Sequence, residues 1–91
     1  MFDKRTKKGT VRFSLKPAAG AKQVMIAGDF NEWKPAPLKK QKDGSFAVNL
    51  TLPARTYEYK FVVDGQWVVD PDNSRWALNP YGTLNSVAQV E

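Results

Sequence analysis

Residues 57 to 67 read Tyr57-Glu58-Tyr59-Lys60-Phe61-Val62-Val63-Asp64-Gly65-Gln66-Trp67, a β-branched and aromatic run that Asp-Gly separates from a second run. A two-residue type I′ turn needs positive φ at both central positions, which Asp-Gly adopts at small cost, so the stretch predicts a β-hairpin. Counting outward from the turn pairs Val63 with Gln66, Val62 with Trp67, Phe61 with Val68 and Lys60 with Val69. Opposed residues share a sheet face, and so do alternate residues along a strand. One face then carries Tyr57, Tyr59, Phe61, Val63 and Val68 and predicts a core; the other carries Glu58, Lys60, Val62, Trp67 and Val69. On that second face Lys60 and Trp67 are diagonal neighbours. Either a loop covers Trp67 and Lys60 is merely solvated, or the pair docks a flat, hydroxylated ligand.

The flanking sequence continues the β pattern. Thr10 to Lys16 alternates, with Val11, Phe13 and Leu15 on one side. Pro17 to Gly20 breaks it, and Gln23 to Ala27 forms a second strand ended by Gly28. Asp29 to Pro37 is a structured loop in which Phe30 packs inward and Trp33, between Glu32 and Lys34, is harder to bury. Leu38 to Lys42 predicts a short edge strand guarded by lysines, and Asp43-Gly44 a second hairpin turn. Phe46 to Leu52 alternates again, with Phe46, Val48, Leu50 and Leu52 inward and Ala47, Asn49 and Thr51 outward. Asp70 to Pro80 predicts a loop in which Trp76 is either a lid over the core or a further contact, and Gly82 to Val90 a last strand. About seven short strands with no helical period indicate an all-β antiparallel sandwich. Met1 to Gly9 is polar, basic and aperiodic and is expected to be a flexible arm, leaving residues 10–91 as one domain.

Composition excludes most chemistry. The 91-residue chain has no cysteine and no histidine, so disulfides, thiolate metal sites and the commonest general base are absent. A domain of this length buries roughly 60 to 65% of its unfolded surface without crosslinks. No apolar run approaches a membrane span and the start lacks a signal-peptide core, so the expected location is cytoplasmic, with no membrane partner. The net charge of +5 gathers at Lys4, Arg5, Lys7 and Lys8 and at Lys39, Lys40 and Lys42.

Four chemistries compete for what remains. Hydrolysis of a glycosidic bond needs two free carboxylates about 5 to 9 Å apart. Of Asp29, Glu32, Asp64, Asp70 and Asp72, a turn consumes Asp64 and a loop hydrogen bond Asp29, so no enzyme is expected. Asp70-Pro71-Asp72-Asn73 offers oxygens but lacks the glycine and distal glutamate of a calcium loop, so it reads as an Asx turn, and no metal or cofactor is expected. A single-strand nucleic-acid binder would interleave bases, aromatics and lysines, whereas here Glu32, Glu58, Asp70 and Asp72 surround the aromatics. A sugar polymer fits better, because a pyranose buries its C–H face on an indole while lysine, asparagine and threonine satisfy its hydroxyls. Affinity on the order of micromolar to millimolar is expected, since hydroxyl desolvation offsets much of the apolar gain.

Four segments carry a family pattern in order: V-M-I-A-G-D-F-N-E-W-K-P, Y-E-Y-K-F-V-V-D-G-Q-W, D-P-D-N and Y-G-T-L-N-S-V. From about Thr10 to its end the chain resembles the family 48 carbohydrate-binding module. That family includes the glycogen-binding domain of the AMP-activated protein kinase beta subunit and N-terminal domains of branching and debranching enzymes. The resemblance implies an immunoglobulin-like, early-set β-sandwich that binds α-1,4-linked glucans such as glycogen, starch or maltooligosaccharides. In the kinase modules the tryptophans of F-N-x-W and of D-G-Q-W stack on glucose rings, which assigns those roles to Trp33 and Trp67. The lysine of Y-K-F bonds sugar hydroxyls, which falls on Lys60, and the polar pair of G-T-x-N falls on Thr83 and Asn85. Where the kinase modules carry a leucine before G-T, this chain has Tyr81, which can stack instead. The expected site is therefore Trp33, Lys60, Trp67, Tyr81, Thr83 and Asn85, with a glycogen-metabolising enzyme or a kinase as a partner in trans. The alternatives are a structural or regulatory module that packs on such a partner enzyme or kinase and, ranked below it, a single-stranded nucleic-acid binder, although nucleic acid is not the expected partner.

Overall fold

The computed structural model describes residues 2–4, 10–17 and 20–90. Its strands are β1 (Phe2–Lys4), β2 (Thr10–Leu15), β3 (Val24–Gly28), β4 (Ala36–Pro37), β5 (Lys39–Lys40), β6 (Phe46–Thr51), β7 (Arg55–Val63), β8 (Gln66–Val68), β9 (Trp76–Leu78) and β10 (Leu84–Val90). They form two antiparallel sheets, one ordered β1-β2-β6-β5 and the other β4-β3-β7-β10-β9, with β8 also pairing β7. The described chain is all-β, an immunoglobulin-like sandwich.

The long strand β7 organises the second sheet. Its C-terminal part pairs β3 on one side and β8 on the other, and its N-terminal part pairs β10. The β7–β8 hairpin has the expected register, Val63 to Gln66, Val62 to Trp67 and Phe61 to Val68. Asp64 and Gly65 have φ of 48° and 87°, as a type I′ turn requires. The Asp64 carboxylate also accepts from the backbone N–H groups of Lys22 and Gln23, which ties the turn to the start of β3. At Asp43-Gly44 only the glycine has positive φ, and Gln41 N–H closes that turn on the Ser45 carbonyl.

Period-two alternation places the core between the sheets. Val11, Phe13 and Leu15 of β2 meet Val24 and Ile26 of β3 and Tyr57, Tyr59 and Phe61 of β7, all buried. Phe13 and Tyr59 touch edge to face across the sandwich, with ring centroids 4.9 Å apart. Each such side chain contributes about 1.5 to 3 kcal/mol through burial. Phe30 packs inward against Phe13, as its place after β3 predicts. Gly28 packs directly against β7: a Cβ there would stand 2.6 Å from the Glu58 carbonyl oxygen and 2.9 Å from the Tyr59 Cβ.

Four features differ from the sequence reading. Phe2–Lys4, expected within a flexible arm, pairs β2 as an edge strand, Phe2 opposite Phe13; Met1 and residues 5–9 of that arm lie outside the described residues. Trp76–Leu78, expected in a loop, is the edge strand β9 on β10. Ala36–Pro37, also expected in a loop, pairs β3, with its proline on the sheet edge. Ala47 and Val62 face outward yet are buried. Both are small or branched residues between cross-strand partners, Ser14 and Lys39 for the first, Met25 and Trp67 for the second.

Candidate functional site

The outer face of β7 carries Glu58, Lys60 and Val62. β8 and β10 flank the same side of β7 end to end, so Trp67 of β8, Thr83 just before β10 and Asn85 at its start converge on Lys60. The loop after β3 closes the site from one side and the β9–β10 hairpin from the other. The result is an open cleft of about 660 Å³ that contains all six residues singled out by the sequence, Trp33, Lys60, Trp67, Tyr81, Thr83 and Asn85.

Each wall has its own local cause. Asn31 clamps the Asp29 to Lys34 loop onto β3, its Oδ1 accepting from Gly28 N–H at 2.9 Å and its Nδ2 donating to the Ile26 carbonyl at 3.2 Å. The loop then turns through two consecutive left-handed residues, Glu32 at φ 57° and Trp33 at φ 59°. Bulky residues rarely adopt this conformation, and such strain gathers at binding sites. Asp29 fixes the indole: its Oδ1 accepts from Trp33 Nε1 at 3.0 Å, while its Oδ2 accepts from Glu58 N–H at 2.8 Å. Trp33 is half-buried, whereas Trp67 stands out from β8 at 49% exposure.

The polar floor is a connected network. Lys60 Nζ donates to Thr83 Oγ1 at 3.1 Å, which leaves two ammonium hydrogens for another acceptor. Asn79 organises the hairpin loop: its Oδ1 accepts from Tyr81 N–H and Thr83 N–H, each at 3.0 Å. Its Nδ2 donates to Thr83 Oγ1 at 2.6 Å and to Asn85 Oδ1 at 3.3 Å. Asn85, only 6% exposed, donates through Nδ2 to Glu58 Oε1 at 3.0 Å, so much of its bonding capacity braces the site from beneath. Tyr81, at 90% exposure, crowns the hairpin. The cleft sets the carboxylates Asp29 and Glu58 against the single ammonium of Lys60, which does not favour a polyanion.

Sequence reasoning missed Asn79, Leu78, Pro80 and Glu58 as cleft residues and saw Asp29 only as a loop hydrogen bond. Asn79-Pro80 carried a signal, since Asn-Pro favours turn initiation and asparagine caps its own loop. Trp76 does not line the cleft; it stands on β9 at 54% exposure, on the side of the sheet that bears Ser86. The Asp70 segment is the expected Asx turn, with Asp72 N–H bonded to Asp70 Oδ1 at 3.0 Å. Asp70 itself is buried, accepting from the Tyr59 hydroxyl at 2.7 Å, and its N–H donates to Ser86 Oγ at 2.7 Å. Among the described residues no cluster of three or more Asp or Glu is arranged to hold a metal ion.

A family described as the glycogen recognition site of AMP-activated protein kinase matches residues 11–91. The 5'-AMP-activated protein kinase subunit beta-1 of Sus scrofa is 39% identical over 72 residues, which cover 79% of this chain and 57% of that protein. The beta-2 subunit of Mus musculus is 41% identical over 73 residues, covering 79% of this chain and 26% of its own length. The chain thus spans only part of these relatives. Among solved structures, a maltogenic amylase from S. marinus superposes with a TM-score of 0.76 at 26% identity, over 90% of this chain and 13% of the amylase. A pullulanase from Anoxybacillus sp. LM18-11, complexed with maltotetraose, shares the fold with a TM-score of 0.69 at 17% identity, over 96% of this chain and 13% of its own. With its pattern matched from Val11 to its end, the chain belongs to the family of glycogen recognition domains of AMP-activated protein kinase.

Proposed function

We propose that this chain is a non-catalytic module that binds α-1,4-linked glucans, glycogen or maltooligosaccharides, in the cleft over β7. The observation that carries the reading is the convergence of two partly exposed indoles, Trp33 and Trp67, with the ammonium of Lys60 and the hydroxyl of Thr83 in one open cleft. Glucose rings stack on Trp33, Trp67 and Tyr81; Lys60 and Thr83 bond their hydroxyls, and Asn85 contributes what its buried amide leaves free. Catalysis has no support here, because Asp29 already accepts from Trp33 and Glu58, and Glu58 accepts from Asn85. In its cellular setting the module brings a glycogen-metabolising enzyme or a kinase to glucan in the cytoplasm. Among the described residues no helix is long and apolar enough to cross a membrane.

The test is co-sedimentation with glycogen at low and high salt. A neutral ligand leaves the bound fraction nearly unchanged, whereas nucleic acid would be released steeply by salt through counterion competition. Trp67→Ala, checked by circular dichroism for an intact fold, is expected to stay in the supernatant. Its co-sedimentation at the parental level would overturn the reading.

A further inference from the structure

Among the described residues five large apolar side chains are exposed: Trp67, Trp76, Leu78 (73%), Tyr81 and Leu84 (40%). Trp67, Leu78 and Tyr81 line the cleft. The other two neighbour Leu78: Leu84 is its cross-strand partner, and Trp76 lies two residues before it on the same side of β9. By register these three belong to the side of the sheet that bears Ser86 and Tyr59, yet Leu78, at the end of the edge strand, reaches the cleft. Leu78 is thus the link between the apolar wall of the cleft and the exposed Leu84 and Trp76 at the free edge of β9. A domain leaves such apolar surface open where it binds something.

β9 also supplies the polar half of a sugar site. Ala77 pairs with Asn85, Asn79 N–H donates to the Thr83 carbonyl, and Val87 N–H donates to the Arg75 carbonyl, so residues 75, 77 and 79 face β10. Backbone groups alternate sides along a strand, and those of Trp76 and Leu78 point away from the sheet, where no described strand follows β9. Arg75 is engaged with Gln89, Nη1 to Oε1 at 2.8 Å. The edge thus offers an indole face, two leucines and unpaired amide donors and acceptors.

We propose that the edge formed by Trp76, Leu78 and Leu84 extends the cleft and takes the further glucose units of an α-glucan too long for the cleft alone; the proposal rests on the glucan reading above. Continuity through Leu78 favours this occupant over a second copy of the chain. Pairing β9 with its copy would join three residues on each side, and three such side chains cover a few hundred Å² at most, short of the ~800 Å² per partner of a standard interface.

The test compares two glucans by calorimetric titration of the parent, Trp76→Ala and Trp67→Ala. β-Cyclodextrin is a closed ring that cannot run on past the cleft, whereas a long linear maltodextrin can. Trp76→Ala is expected to keep its β-cyclodextrin affinity and to lose about three- to tenfold for the maltodextrin, the scale of one aromatic contact. Trp67→Ala is expected to lose both. Unchanged maltodextrin binding by Trp76→Ala, with both ligands lost by Trp67→Ala, overturns the extension and leaves the cleft standing. Parental binding by Trp67→Ala overturns the cleft and the extension together. An equal loss of both ligands by Trp76→Ala, or lost self-association with unchanged glucan affinity, also overturns the extension. Should Trp76→Ala lose its β circular dichroism, Trp76→Thr, which keeps strand propensity, takes its place.

Discussion

Asp29 shows how one side chain can set a binding surface without being its obvious feature. Its carboxylate holds the Trp33 indole nitrogen and the Glu58 backbone at once, so the ring carried by the second of two left-handed residues is held in one orientation. Pre-organisation of this kind spares the ligand the cost of ordering the ring. Asp29→Ala is expected to fold and to bind β-cyclodextrin about three- to tenfold more weakly, on the scale of one ordinary hydrogen bond. Asp29→Asn keeps one acceptor for the indole and should lose less. Titration calorimetry of the two variants beside the parent measures the difference.

Among the elements, the β9–β10 hairpin contrasts with the β7–β8 hairpin. The latter is closed by backbone geometry alone, Asp64 and Gly65 both at positive φ, and is legible from two letters of sequence. The former has a longer loop whose shape depends on a side chain, Asn79, which satisfies two backbone donors and holds Thr83 and Asn85. Removing that amide orphans several groups of which Asn85 is buried. Asn79→Ala is expected to lower stability by about 1 to 3 kcal/mol and to weaken glucan binding as Thr83 and Tyr81 lose their support. A drop in urea midpoint at unchanged slope, with reduced glycogen co-sedimentation, would bear this out.

At the scale of the whole molecule, a buried polar link joins the segment between β8 and β9 to the core. The Tyr59 hydroxyl donates to Asp70 and accepts from Asn73 Nδ2, and Asn73 in turn donates to the Val87 carbonyl. Burial, with the Asp70 carboxylate against the hydroxyl, pushes the Tyr59 phenol well above its ordinary value of 10.0. Below pH 10.0 the phenol keeps its proton in both states and the contribution is complete. As pH rises beyond that, only the unfolded chain releases the proton, so stability falls, by about 1.4 kcal/mol per pH unit for this group. Tyr59→Phe is expected to be about 1 to 3 kcal/mol less stable at neutral pH, because Asp70 and Asn73 lose a partner. Its stability should also decline less steeply than the parent's in alkali. Urea unfolding at neutral pH and at about pH 11 compares the two slopes.

Local chemistry determined a good deal by itself. Alternation along Thr10–Leu15 and Arg55–Val63, and an Asp-Gly turn, set the strands, their register and their inward faces, because pleat and turn preference depend on neighbours in the chain. Register set Lys60 and Trp67 on one face, and the resemblance to a family pattern added Trp33, Tyr81, Thr83 and Asn85, all six of which line the cleft. Tertiary structure decided what each of them does. That Asn85 is buried beneath Glu58, 27 residues away, and that Asp29 reaches across 29 residues to the backbone of β7, depends on which strands lie side by side. The same holds for Trp76–Leu78, whose three residues show no clear strand period and become an edge strand only because β10 is there to pair with them.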